Sequence, residues 1–192
     1  VIKKTLNNFN HDVVVDFHEY KHYRADFVHF GCFGITQKYD AMFLYSGNLN
    51  VSPSIRNITE NLFVKNAQQV LDNNNLTHHN YFRSKKYNKK LQFNLGGISP
   101  RSSATNYALA NCISILMEIR GVGLDRVSFN RRVMTTFLLA NSYLETTLSN
   151  TEKIKSALEK AKKFSDSIVV RSYNTKEEFN FSTIDVYQRK YI

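Results

Sequence analysis

The chain has 192 residues, an apolar fraction of 42% and a formal net charge of +10 at pH 7. With 14 Phe and 11 Tyr but only 7 Gly and 2 Pro, its composition excludes intrinsic disorder and predicts a packed globular domain. A positive net charge favours binding to nucleic acid or to an anionic surface. None of the known aromatic and basic motifs of nucleic-acid-binding proteins is present, so we expect no nucleic-acid partner.

The first half of the chain predicts strands that alternate with a long helix. Ser52 is placed to cap that helix, and Pro53 suits its first position. The Lys-rich stretch SKKYNKK reads as a loop. The predicted strands are 12–18, 41–46, 76–82 and 91–97, the helix is 52–74, and the Lys-rich loop is 84–90.

The second half predicts a buried strand followed by two helices. The apolar run 113–119 is stopped by Gly121, which favours a strand over a helix. A long helix follows Asp125, another begins with Thr151 as its cap, and 167–174 is expected to be a strand. The helical spacing after Asp125 places Val127, Met134, Phe137, Asn141, Leu144 and Leu148 on one face. This alternation predicts an α/β fold with a central sheet.

No stretch approaches the ~20 apolar residues of a membrane span, so we expect none. Two cysteines, Cys32 and Cys112, are too few for a disulfide framework, and their apolar neighbours predict buried free thiols.

The string HEYKH matches the His-Glu-x-x-His pattern of zinc proteases, in which both histidines bind metal and the glutamate is the general base. That interpretation assigns His18, Glu19 and His22, and it requires a helix, because only there do residues four apart share a face. The three valines before the string are β-branched and favour a strand. The extended form of the motif also needs a glycine and a histidine where the sequence has Ala25 and Val28. The zinc-helix hypothesis remains as an alternative.

If the string instead ends a strand, Asp16 and His18 share one face of it, because side chains alternate along a strand. Ligands of open α/β sheets bind beyond the carboxyl ends of the strands. A histidine beside a carboxylate at such an end is placed to hold a metal. The alternative is a solvated polar strand end.

Glu118 stands inside the apolar run ISILMEI. Burying a lone carboxylate is costly, so such a residue either pairs with a cation or performs acid–base chemistry. Arg120 lies two residues further on, on the same face of a strand, and is the candidate cation. Both interpretations of Glu118 stay open at this point.

Three stretches occur in a characteristic order: Asp-x-His-Glu-Tyr after a Val-rich strand, the Gly96-Gly97 loop, and Met-Glu-x-Arg-Gly-x-Gly before a long helix. Together they resemble the second half of a zinc carboxypeptidase of the carboxypeptidase A-like type, with the bacterial branch as the closer match. The resemblance spans residues 10–148. It implies a mixed central sheet flanked by helices in an α/β/α arrangement. It also implies that residues 1–192 form a C-terminal portion of the catalytic domain.

The resemblance also implies a site. The family binds zinc through two histidines and one glutamate and leaves the fourth position to water. His18 matches the second histidine ligand, and Glu118 matches the residue that takes a proton from the zinc-bound water and passes it to the leaving amine. Asp16 would support the histidine. Arg101 and Arg120 are candidates for binding a peptide or acyl-amino-acid substrate, with a solvated loop arginine as the alternative for Arg101.

The sequence departs from the family at one essential point. The first histidine and the glutamate ligand come as His-x-x-Glu, and no such string occurs in these residues. We therefore expect the N-terminal half of the domain to be missing and this chain to be inactive alone. A non-catalytic binding module that keeps the fold is the alternative. A periplasmic or secreted location is favoured over a cytoplasmic one.

Overall fold

The computed structural model describes residues 11–20, 23–24, 35–37, 39–87, 90–121, 125–164, 168–170 and 183–185. Its centre is a sheet of four strands, β1 (Val13–Tyr20), β4 (Ala41–Tyr45), β5 (His78–Asn80) and β8 (Ile113–Arg120). The strands lie in the order β1-β8-β4-β5. β8 runs parallel to β1 and antiparallel to β4, while β4 and β5 are parallel. The sheet is therefore mixed, and the predicted α/β fold with a mixed central sheet is confirmed.

Two small sheets stand beside the central one. The first is antiparallel and contains β2 (Tyr23–Arg24), β3 (Ile35–Gln37) and β9 (Thr183–Asp185). The second is a hairpin of β6 (Phe82–Tyr87) and β7 (Lys90–Leu95). The predicted loop over 84–90 is thus wrong, because its residues pair across this hairpin and only 88–89 lie outside the described residues. β7 matches the strand predicted over 91–97, whereas β6 was not predicted, because its charged residues carry no apolar alternation.

The long helix predicted after Ser52 is confirmed. It consists of α1 (Pro53–Ile58), a π-helical segment (Thr59–Val64) and α2 (Lys65–Asn73). The Ser54 backbone N–H donates to the Ser52 side chain at 3.3 Å, which satisfies one of the free N–H groups at the helix start.

The other helices are α3 (Ser103–Leu109), α4 (Asp125–Ser149) and α5 (Thr151–Lys162). The last two confirm the predicted helices, although Asn150 rather than Thr151 occupies the cap position. The strand predicted over 167–174 is absent from 168–170, and its other residues lie outside the described part of the chain.

The two faces of the sheet carry different layers. One face, defined by Val15, Phe17, Ile115 and Met117, packs on α1, the π segment, α2, α4 and α5. The opposite face, called here the α3 face, packs Leu44 and Leu116 against α3 through Ala104, and Met42 against Phe82 of the hairpin. Of the two cysteines, Cys112 is a buried free thiol as predicted, and Cys32 lies outside the described residues.

The helix α4 turns its more apolar side outward. Leu139 and Tyr143 are buried against the sheet layer, and their neighbours Thr135, Ser142 and Thr146 are buried polar residues. A surface helix usually does the opposite and buries its apolar stripe. The exposed large residues are Phe129, Val133, Met134, Phe137, Leu144 and Leu148, which we call the α4 apolar surface. Within the described residues, no helix is both long and apolar enough to cross a membrane.

The two sides of α4 predict losses of stability of very different size when a leucine side chain is truncated. Leu139 has no exposed surface, so Leu139→Ala should lower the free energy of unfolding by about 2–5 kcal/mol through lost burial and a cavity. Leu144 is 63% exposed, so Leu144→Ala should change it by less than ~0.5 kcal/mol. Urea unfolding of both variants checks this, and equal losses would contradict the assigned orientation of α4.

Candidate active site

The sheet register places His18 directly beside Glu118. The two are Cα partners in the parallel β1–β8 pair, and neighbouring strands lie ~4.8 Å apart. Glu118 is in turn the partner of Met42 on β4. All three side chains belong to the α3 face, near the carboxyl ends of β1 and β8. The structure therefore brings together the two residues that the sequence assigned to metal binding and proton transfer.

The imidazole of His18 is held through one nitrogen. His18 Nε2 lies 3.1 Å from Asp16 Oδ2, and the same oxygen accepts a hydrogen bond from Ser103 Oγ at 2.6 Å. The His18 side chain is 50% exposed. Metal-ligating histidines usually donate their second N–H to a carboxylate or carbonyl, so this arrangement leaves Nδ1 as the nitrogen for a metal.

Glu19 has a different environment from its neighbour. It lies in β1 and points to the face opposite His18, where its Oε2 is 2.5 Å from the guanidinium of Arg132 on α4. The zinc-helix alternative is therefore wrong, because His18 and Glu19 lie in a strand, and His22 lies outside the described residues. Gly121 follows in this region, and a Cβ at that position would stand 2.9 Å from the backbone oxygen of Tyr20, so the close approach of the two backbones favours glycine.

Arg120 is tied to a buried carboxylate. Asp40 is 6% exposed, and its Oδ1 lies 3.0 Å from Arg120 and 3.3 Å from Arg131. The backbone N–H and hydroxyl of Thr77 both donate to Asp40 Oδ2 at 2.9 Å. Burial, reinforced by the nearby Arg120 charge, lowers the pKa of Arg131. These contacts hold Arg120 at the end of β8 and pair its guanidinium with the Asp40 carboxylate.

Tyr20 closes the end of β1 beside this cluster. Its hydroxyl donates to the carbonyl of Tyr39, and burial raises the pKa of the phenol well above its usual value, against the lowering effect of Arg120. The Glu118 carboxylate also raises the pKa of Tyr20, which places both groups in one electrostatic environment. Tyr20 is thus a neutral hydrogen-bond donor at neutral pH.

The Gly96-Gly97 loop passes over the α3 face. Gly96 has φ +66, a conformation that side chains disfavour, and a Cβ on Gly97 would lie 2.9 Å from Leu44 Cδ1. Arg101 lies on the same loop and is exposed, and its backbone N–H donates to Ser99 Oγ at 3.3 Å. Because Ser103 contacts Asp16, the loop carries Arg101 to the side of the sheet that holds His18.

The described residues do not complete a metal site. Catalytic zinc typically has three protein ligands, and no group of three His, Cys, Asp or Glu side chains in the described part of the chain can hold a metal ion. The donor set at His18, an imidazole with a supporting carboxylate, fits one ligand of such a site. A complete site of this kind would need further ligands from outside the described residues.

Sequence reasoning missed Ser103, Asp40 and Arg131. Ser103 stands next to Ser102 in a polar stretch, and no spacing rule separates the serine that contacts Asp16 from the one that does not. Asp40 immediately precedes an apolar strand, which was the only signal available. Arg131 lies on a helix far along the chain, so only the tertiary structure brings it to Asp40.

The cluster around Asp40 predicts a stability difference between two arginines. Arg120→Ala leaves a buried carboxylate with one cation fewer and should lower the free energy of unfolding by about 2–3 kcal/mol. Arg132→Ala removes the partly exposed pair with Glu19 and an exposed contact with the Phe129 ring, and it should lower the free energy of unfolding by less than ~1 kcal/mol. Thermal or urea unfolding at neutral pH compares the two, and an equal or smaller loss in Arg120→Ala would contradict the structural role of Asp40.

No family model matches the chain, and no solved structure matches it. Among curated proteins, the chain is 26% identical over 173 residues to Carboxypeptidase 2 of Trichophyton rubrum. The aligned region covers 86% of this chain and 31% of the relative. Carboxypeptidase 2 of Trichophyton tonsurans and Probable carboxypeptidase 2 of Arthroderma benhamiae are each 26% identical over 172 residues, with the same shares covered. This likeness supports the relationship to carboxypeptidases that the sequence motifs predict. The bacterial branch and zinc dependence stay predictions.

Proposed function

We propose that this chain carries part of the active site of a zinc-dependent carboxypeptidase-like hydrolase, which cleaves peptide or acyl-amino-acid amide bonds. The observation that carries the proposal is the register of β1 and β8, which sets His18 beside Glu118 on one face near the carboxyl ends of two parallel strands. Open α/β sheets bind their ligands at such ends. The likeness to fungal proteins named carboxypeptidase 2 supports the same reaction class.

Glu118 is the acid–base residue of the proposal. It lies between His18 and the buried Met42 in the sheet register, so it is half-buried on a rigid strand rather than on a loop. A carboxylate there takes a proton from the attacking water and returns it to the leaving amine. Zinc, when bound, polarises the scissile carbonyl and lowers the pKa of the water. His18 would supply one ligand through Nδ1, with Asp16 fixing its ring.

Arg101 is the better of the two candidates for binding a substrate carboxylate. Arg120 is already paired with Asp40, whereas the Arg101 side chain is exposed on the loop that leads to Ser103. A guanidinium binds a carboxylate with two parallel hydrogen bonds, which suits a substrate with a free C-terminus. Arg120 would then shape the end of the sheet instead of contacting substrate.

Under this proposal, a further part of the domain would supply the remaining ligands, and two surfaces of the chain support this idea. Among the described residues, no strand pairs with the outer edge of β1. A groove of about 470 Å³ runs between that edge and α4, lined by Phe17, Val133 and Phe137 among others. It borders the α4 apolar surface. Large exposed apolar patches and free strand edges mark interaction sites in soluble proteins.

We propose that the N-terminal half of the domain covers these two surfaces and brings the His-x-x-Glu ligands to His18. The matched relatives are longer proteins, of which this chain covers 31%. A strand added to β1 would bring new side chains into the row of His18 and Glu118. A periplasmic or secreted location belongs to the same proposal.

The acid–base role predicts different turnover for substitutions of Glu118 on β8 and of Glu19 on the paired strand β1. In the complete protein, Glu118→Gln should abolish turnover, with a loss of roughly 10²–10⁴ in kcat, while zinc content is unchanged. Glu19→Gln, on the opposite face, is the matched control and should stay close to wild-type turnover. Hydrolysis of a peptide with a free C-terminus, together with metal analysis, measures both. An active Glu118→Gln enzyme would remove Glu118 from the mechanism.

The incomplete ligand set predicts weak metal binding by the chain alone. The 192-residue chain should retain well under one equivalent of zinc after gel filtration, because one histidine cannot hold the metal against water. A complete polypeptide, or this chain with its associated N-terminal half, should retain about one equivalent and lose it in His18→Gln. Intact mass and metal analysis decide this. Stoichiometric zinc in the chain alone would contradict the proposed division of the site.

The second candidate function is a non-catalytic binding module that keeps the fold. It is favoured by the lack of three metal ligands in the described residues and by the commitment of Arg120 to Asp40. The residues encoded upstream distinguish the two. A His-x-x-Glu string there supports the hydrolase, and its absence supports the module.

A further inference from the structure

Ser103 connects the core of the protein to the His18 ring. Its hydroxyl donates to Asp16 Oδ2 at 2.6 Å, and that oxygen lies 3.1 Å from His18 Nε2. The carbonyl of Ser103 accepts from the hydroxyl of Ser114 at 3.3 Å, and Ser114 is 2% exposed on β8. Four residues are therefore linked in series from the buried sheet to the exposed imidazole.

The place of Ser103 is set by the fold. It is the first residue of α3, and the next residue, Ala104, is fully buried against Leu44 and Leu116 of the sheet. Its hydroxyl thus has a defined position relative to β1. The torsion that orients an aspartate carboxylate is intrinsically broad, so a fixed second donor restricts which oxygen faces the histidine.

We propose that Ser103 is a positioning residue for His18, which orients the Asp16 carboxylate so that it holds the imidazole in the Nε2–H tautomer. The lone pair then resides on Nδ1. Because the His18 ring is half-exposed, water competes for Nε2, and a carboxylate that is already oriented competes better. The inference that this arrangement prepares His18 to bind a metal rests on the proposed function. The arrangement itself requires neither zinc nor substrate.

The chain offers a matched control in the adjacent serine. The Ser102 hydroxyl is buried and has no hydrogen-bond partner among the residues that the structure describes. Ser102→Ala and Ser103→Ala therefore remove the same atom from neighbouring positions, and only the second removes a bond to Asp16.

The test is ¹⁵N NMR of the His18 ring in the 192-residue chain at alkaline pH, where imidazole is neutral. His18→Gln identifies the signals. We expect the Nε2–H tautomer to dominate in the wild type and in Ser102→Ala. In Ser103→Ala the ratio of Nε2–H to Nδ1–H should fall by roughly three- to tenfold, the effect of one hydrogen bond. Ser103→Thr should restore it.

An unchanged tautomer ratio in a folded Ser103→Ala variant would overturn the proposal, and so would a dominant Nδ1–H tautomer in the wild type. If Ser103→Ala does not fold, Ser103→Cys supplies a weaker donor of similar size and should give an intermediate ratio. The readout is independent of catalysis. A tautomer shift in a complete protein that binds no zinc would refute the proposed function and leave the role of Ser103 intact.

Discussion

The parallel pairing of β1 with β8 is the interaction on which the rest of this structure depends. It joins segments separated by about a hundred residues and sets every side chain of β1 opposite a defined residue of β8. A slip of one residue would turn His18 to the other face of the sheet and separate it from Glu118. The apolar side chains of both strands prevent such a slip, because Val15, Phe17, Ile115 and Met117 must all remain in the larger core.

The polar cluster around Asp40 supports this pairing at the strand ends. Asp40 binds Arg120 from β8, Arg131 from α4 and Thr77 just before β5, so it joins three parts of the chain at one carboxylate. Buried charges persist only when they are paired and hydrogen-bonded, and this one has four donors. Glu118 and Tyr20 lie within the electrostatic reach of the same cluster. The chemistry proposed for Glu118 would therefore take place beside a cluster of one carboxylate and two guanidinium groups, which carries a net positive charge.

The two sides of the sheet differ in completeness. The α3 face is closed by a short helix and a hairpin, and it holds the Ser103–Asp16–His18 arrangement ready in the isolated chain. The other side is formed by α4 and by the edge of β1 with which no described strand pairs, and α4 exposes leucine and phenylalanine side chains there. Under the proposed function, one added segment would cover this side and also supply the remaining metal ligands.

The sequence by itself determined the α/β class, the strand around His18, the buried strand around Glu118 and the helices after Ser52 and Asp125, because apolar periodicity and cap residues are local signals. It did not determine which side of α4 is buried, since that choice depends on what packs against the helix and the buried side is the more polar one. The sequence pattern missed β6, whose charged residues carry no apolar alternation, although it predicted the strand over 91–97 that pairs with it. Only the tertiary structure decided that His18 stands beside Glu118 and that Asp40 binds both arginines. Pairing register and the approach of distant charges follow from how the whole chain packs, and no local pattern encodes them.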